Sequence, residues 1–202
     1  MVRPKITTLK GKKPILIYSI HDCSDWNEWG TREINEELHQ NKRFYSFIYS
    51  GPKARCLRDT KNPTYSLIDE MLTKYQKIGL ISLHRRSNRA KIKKSKRNLF
   101  ELGTLRNQSL DIRIKKAFKQ LLAEQGVMFD DNQHFTGGES IWRIHKRYND
   151  PSYVPTKTSS YNPSENQIQI AQFEINGLPK PDTSTHYKCV LLLAQCMQNY
   201  FK

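Results

Sequence analysis

The sequence predicts a three-layer α/β/α domain on a mainly parallel mixed sheet, and three features support this. Short apolar runs bounded by turn residues recur along the chain and alternate with longer stretches of helical periodicity. Polar residues capable of metal or proton chemistry fall where apolar runs stop, and ligands gather at such strand ends in α/β sheets. The 202 residues suffice for one hydrophobic core, so a single domain over residues 1–202 is expected.

Residues 1–13 are basic and read as an N-terminal tail. Ile15-Leu16-Ile17-Tyr18-Ser19-Ile20, behind Pro14, is a buried strand. Thr31 can cap a helix running to residue 40, with Glu33, Glu36 and Glu37 at the end where the helix dipole favours acids. Phe44-Tyr45-Ser46-Phe47-Ile48-Tyr49 is aromatic and β-prone and stops before Gly51-Pro52. Over residues 63–76, Leu67, Ile68, Met71, Leu72 and Tyr75 recur at helical spacing. Residues 78–83 form a third buried strand that ends at His84, and the basic stretch 85–97 reads as a solvated loop.

Residues 99–105 suggest another strand. Over 109–125 an amphipathic helix places Leu110, Ile114, Phe118, Leu121 and Leu122 on one face and stops at Gly126. Residues 127–129 read as a short strand, and 134–165 as a long irregular loop rich in Gly, Pro, Tyr, Ser and Asn. Residues 167–175 alternate Ile168, Ile170 and Phe173 with polar side chains, a strand pattern; Asp182 or Thr183 starts a last helix to about residue 200. There is no internal repeat, no Gly-rich phosphate loop and no dinucleotide-binding fingerprint.

Hydrophobic residues are 37% of the chain and aromatics 10%, a balance that suits a folded domain with a polar surface. The formal net charge of +15 draws anions, whether an acidic substrate or nucleic acid. For nucleic acid, residues 85–97 would meet phosphates and Tyr148, Tyr153 and Tyr161 would stack bases, although no nucleic-acid motif occurs. Cys23, Cys56, Cys189 and Cys196 include no C-x-x-C pair; Cys189 and Cys196 share a helix face and read as core. No membrane span or signal core is present, so the default expectation is a cytoplasmic protein.

Three polar residues carry the chemistry. His21 follows the first strand, His84 the third, and Glu174 lies near the end of the 167–175 strand. Two imidazoles and a carboxylate satisfy a catalytic zinc site with one position open for water. Glu28, in the loop after His21, is the natural acid, and Glu33 competes with it from the first helical turn, where its other role is a cap. Glu174, an acid in an otherwise apolar strand, is the candidate proton acceptor for a metal-bound water.

Glu28-Trp29-Gly30-Thr31-Arg32-Glu33-Ile34, followed by Phe44-Tyr45-Ser46-Phe47, resembles the phage-type poly-gamma-glutamate hydrolase family. Glu101-Leu102-Gly103-Thr104-Leu105, Phe135-Thr136-Gly137-Gly138 and Gln172-Phe173-Glu174-Ile175-Asn176 are similar to the N-formylglutamate amidohydrolase family. The landmarks span residues 15–176. The resemblance implies a carboxypeptidase-like, phosphorylase/hydrolase-like fold. It also implies one zinc ion on His21, Glu28 and His84, with Glu174 as catalytic acid and base. Where the family has Gly-Gly after the first histidine, this chain has Asp22-Cys23, and Asp22 and Asp25 stand in the same loop as alternative acidic ligands. The implied reaction is hydrolysis of an amide bond in a small or polymeric acidic substrate. Arg85, Arg106 and Arg143, each beside a landmark, are expected to steady the oxyanion or clamp a substrate carboxylate.

Overall fold

Among the described residues seven strands form one mixed sheet, with helices packed on both of its faces. A computed structural model describes residues 5–19, 30–50, 63–85, 98–133, 135–149, 167–176 and 183–202. The elements are β1 (Lys5–Leu9), β2 (Ile15–Ser19), α1 (Thr31–Lys42), β3 (Tyr45–Ser50), α2 (Pro63–Tyr75) and β4 (Lys77–Arg85). They continue with β5 (Phe100–Gly103), α3 (Ile112–Glu124), β6 (Asp130–Asp131), α4 (Glu139–Asn149), β7 (Gln167–Ile175) and α5 (Thr183–Phe201). The strand order is β1-β3-β2-β4-β7-β5-β6; β3, β2, β4 and β7 run parallel, β5 pairs with β6 in parallel, and the β1–β3 and β5–β7 pairs are antiparallel.

The sheet is the middle layer, and side-chain alternation separates two cores. On one face Ile15, Ile17, Ile81, Leu83, Phe100, Leu102, Ala171 and Phe173 pack under Ile34 and Leu38 of α1, Phe118 of α3 and Leu193 of α5. On the other, Leu16, Tyr18, Phe47, Leu80 and Ile170 pack under Ile68 and Met71 of α2 and Ile141, Ile144 and Tyr148 of α4. Strands covered on both sides lose their polar face, which is why they read as continuous apolar runs. The three-layer architecture is therefore as expected. Cys189 and Cys196 are buried in the first core, and burial pushes the Cys189 thiol up to about 11.

Local chemistry sets the element boundaries. Gly30, at φ 98°, precedes α1, and its N–H donates to Glu33 Oε2 at 2.9 Å, so Gly30 rather than Thr31 is the capping position and Glu33 closes the helix start. Asn35 bolts α1 to the sheet, its Nδ2 donating to Ile17 O at 3.2 Å, Ser19 Oγ at 3.0 Å and Phe47 O at 3.1 Å. Helix α3 begins later than expected because Asp111, not Ser109, caps it, Oδ1 accepting from the Arg113 N–H at 2.8 Å. Ser109 Oγ instead donates to Ile170 O at 2.9 Å.

Three further expectations are corrected. Residues 5–9 of the expected basic tail form β1, because β-branched Ile6, Thr7 and Thr8 pair with β3 at the sheet edge. Within the expected 134–165 loop, residues 139–149 form α4; Ile141, Ile144 and Tyr148 recur at helical spacing and are buried, and the interspersed basic residues hid that stripe. The strand expected at 127–129 lies at Asp130–Asp131 instead, since the Val127 N–H closes the end of α3 on Leu122 O. The remainder of the expected loop lies outside the described residues.

Candidate active site

The β4–β7–β5–β6 ladder aligns four titratable residues on one face of the sheet. His84 is opposite Glu174, Glu174 opposite Glu101, and Glu101 opposite Asp130. The next row towards the amino ends of β4 and β7 is Tyr18, Ser82, Gln172 and Gly103, and the row beyond is Leu16, Leu80 and Ile170. The face thus changes from apolar to ionisable towards the carboxyl ends of the parallel strands, where sites form in such sheets.

These acids are buried. Glu101 is 0% exposed, Glu174 4% and Asp130 4%. His84 Nδ1 lies 3.9 Å from Glu174 Oε1. Each carboxylate has an oriented donor: Gln172 Nε2 to Glu174 Oε1 at 2.7 Å, the Phe135 N–H to Glu101 Oε1 at 2.5 Å, and Asn98 Nδ2 to Asp130 Oδ1 at 2.7 Å. Buried acids require such partners, because carboxylates directly opposite one another repel.

The expected site residues divide as follows. His84 sits within β4 rather than after it, and Glu174 is its cross-strand neighbour, buried rather than a solvent-facing edge carboxylate. His21, Glu28, Asp22 and Asp25 lie outside the described residues, as do Cys23 and Cys56. Strand β2, which leads towards His21, is the parallel neighbour of β4, with Ser19 opposite Leu83.

Arg85 is the residue after His84, so alternation sets it on the other face with Ile81 and Leu83; the register does not bring it to Glu174. Arg106 is exposed in a left-handed turn of Leu105, Arg106 and Asn107, with φ 48°, 55° and 70°. That turn follows Gly103, which is opposite Gln172, so it leads away from the level of Glu174. Lys115 Nζ donates to Asn107 Oδ1 and pairs with Asp131 Oδ1 at 2.5 Å, fixing the turn from below. Arg143 is half-buried on α4, which covers the face that carries Glu174.

The sequence reading gave Glu101 and Gln172 no role. Their signal was a polar residue at period two inside a buried strand, Phe100-Glu101-Leu102 and Gln172-Phe173-Glu174, the same signal that picked out Glu174. The base-stacking role suggested for Tyr148 fails: it is 2% exposed, and its hydroxyl donates to Asp69 Oδ1 at 2.8 Å and Tyr65 O at 3.2 Å. Tyr153 and Tyr161 lie outside the described residues.

The donor chemistry at His84 fits a zinc ligand. It is an imidazole at the carboxyl end of a parallel strand, a neutral nitrogen donor of the type zinc takes, with the Glu174 carboxylate 3.9 Å from Nδ1. Among the described residues no three His, Cys, Asp or Glu side chains form a metal-binding group.

Three solved structures share this arrangement of elements. An N-formylglutamate amidohydrolase from Ralstonia eutropha aligns with a TM-score of 0.60 at 14% identity over 97% of both chains. The chain has the fold of this amidohydrolase. A bacteriophage poly-gamma-glutamate hydrolase aligns with a TM-score of 0.56 at 12% identity, over 98% of this chain and 87% of the other. A gene product of Agrobacterium tumefaciens aligns with a TM-score of 0.64 at 8% identity, over 98% and 96%. No family model and no curated protein matches the sequence. Among the described residues no helix is long and apolar enough to cross a membrane.

Proposed function

We propose that the chain is a zinc-dependent amidohydrolase that cleaves an amide bond in a glutamate-like acidic substrate, of N-formylglutamate or gamma-glutamyl type. The observation that carries this reading is the pairing of partly buried His84 with buried Glu174 at the strand ends of a hydrolase fold. His84, with His21 and Glu28, would hold the metal. Zinc, when bound, would polarise the scissile carbonyl and lower the pKa of the attacking water. Glu174 takes the proton from that water and delivers it to the leaving amine. Its burial keeps bulk solvent from competing for the proton.

Arg143 suits the substrate carboxylate better than Arg85 or Arg106, because α4 lies over the face that carries Glu174. The net charge of +15 would speed capture of an acidic substrate at low salt. The test is release of glutamate from N-formyl-L-glutamate and from gamma-glutamyl oligomers by zinc-loaded protein, with N-formyl-leucine as control. Turnover of an acidic substrate, at least about tenfold faster than the control, is expected. Failure to cleave any acidic amide would remove the reading.

A further inference from the structure

Residues 135–138 lie as a strap along β5, pinned at three points. The Leu105 N–H donates to Thr136 O at 2.6 Å, the Phe135 N–H to Glu101 Oε1 at 2.5 Å, and the Gly138 N–H to Gln172 Oε1 at 2.8 Å. The packing has no room for a side chain at Gly103 and is tight at Gly138. A Cβ on Gly103 would stand 2.7 Å from Gly137 N, and one on Gly138 would stand 3.2 Å from Gln172 Oε1. Gln172 is 0% exposed, and its other end, Nε2, donates to Glu174 Oε1 at 2.7 Å.

An amide whose oxygen accepts from a backbone N–H and whose nitrogen donates to a carboxylate is fixed at both ends, since a flip would break both bonds. The oxygen it holds, Glu174 Oε1, is the one 3.9 Å from His84 Nδ1. We propose that Gln172 is a positioning residue of the active site, tying the orientation of the Glu174 carboxylate to the 135–138 strap. The proposal rests on the reading of Glu174 as the proton acceptor. Gln172 touches no reacting atom in this account and acts through Glu174. Gly138 serves this link by letting the strap approach the carboxamide closely, and Gly137, at φ 115°, turns the strap against Leu105.

Amide NMR and hydrogen exchange on the full chain test the link, with turnover of N-formyl-L-glutamate as a separate arm. In Glu174→Gln, the Gln172 side-chain amide protons should move upfield as their acceptor loses its charge, and the Gly138 amide should move with them. In Gln172→Met, the Gly138 amide should exchange at least about tenfold faster while Phe135, held by Glu101, keeps its protection. In the same variant kcat should fall about 10- to 100-fold with KM within about twofold. Gln172→Glu keeps an acceptor for Gly138 but replaces the amide donor by a carboxyl that must share a proton with Glu174, so Gly138 should stay protected while kcat still falls.

Unmoved Gln172 side-chain resonances in Glu174→Gln overturn the proposal, as does wild-type kcat in Gln172→Glu. If no acidic amide is turned over, the amidohydrolase reading fails and the spectral arm alone decides the link. If Gln172→Met does not fold, the Glu174→Gln spectra carry the decision.

Discussion

His84 and Glu174 face one another across the parallel β4–β7 ladder, Nδ1 to Oε1 at 3.9 Å, the histidine partly and the glutamate almost wholly buried. That separation is too long for a hydrogen bond and within ion-pair range when the imidazole is protonated. The two side chains are held by separate strands, and Glu174 has its own donor in Gln172, so the carboxylate keeps its place independently of the histidine.

Replacing Glu174 by Gln should therefore separate chemistry from folding. The new amide oxygen can still accept from Gln172, so stability should stay within about 1 kcal/mol of the parent. Turnover of the acidic amide substrate should fall by about 10²- to 10⁴-fold, because the group that moves the proton is gone. Steady-state kinetics and urea denaturation of the two proteins check both halves.

Glu101 should show the reverse pattern in stability. Glu101→Gln keeps an acceptor for the Phe135 N–H and relieves repulsion with Glu174, so its denaturation midpoint should equal or exceed that of the parent. Glu101→Leu leaves that N–H without its acceptor and should cost about 1–3 kcal/mol. Equal midpoints for the two variants would contradict the role given to the strap.

Gly103→Ala should destabilise by about 1–3 kcal/mol, as overpacking does. The added methyl would stand 2.7 Å from Gly137 N and 3.0 Å from Phe135 O, both backbone atoms that cannot rotate away. Gly126→Ala is the control for added bulk, since a Cβ there meets nothing within 4 Å, although its φ of 67° carries a backbone cost of its own. Faster hydrogen exchange of the Gly138 amide in Gly103→Ala, and not in Gly126→Ala, would locate the damage in the strap.

Asp131 sets an acid limit on stability. Burial raises its carboxyl, but Lys115 and Lys119, at 2.5 Å and 2.8 Å, outweigh burial and hold it below the ordinary value of 3.8. The unfolded chain therefore binds this proton more readily than the folded one. The contribution is complete well above pH 3.8 and is lost as the pH falls through that value towards the lower folded one. Asp131→Asn should lower stability near neutral pH by about 1–2 kcal/mol, discounted for partial exposure, with the gap to the parent closing in acid. Urea midpoints measured from pH 7 to pH 3 check this; a gap that widens in acid would be the wrong sign.

Much of this was legible in the sequence because burial on both faces makes strands apolar and helices periodic. The strand pattern of 167–175 matches β7 residue for residue, and Glu174 stood out in it as an acid among apolar side chains. The helix at 139–149 was not legible, since Arg143, Lys146 and Arg147 dilute a stripe of only Ile141, Ile144 and Tyr148. Nor could the sequence pair Glu174 with Glu101. That contact joins strands 73 residues apart through an antiparallel register that local periodicity does not encode. Arg85 shows the same limit: its neighbour His84 suggested a shared site, and alternation along one strand put the two on opposite faces.

The zinc content of the purified full-length chain, measured by atomic emission beside His84→Ala, tests the central claim most directly. The account predicts one zinc per parent chain after dialysis against trace zinc, and a loss of at least about tenfold in retained metal in the variant, with the fold intact by circular dichroism. A parent chain that retains no zinc, or a His84→Ala protein that retains it in full, would contradict the account.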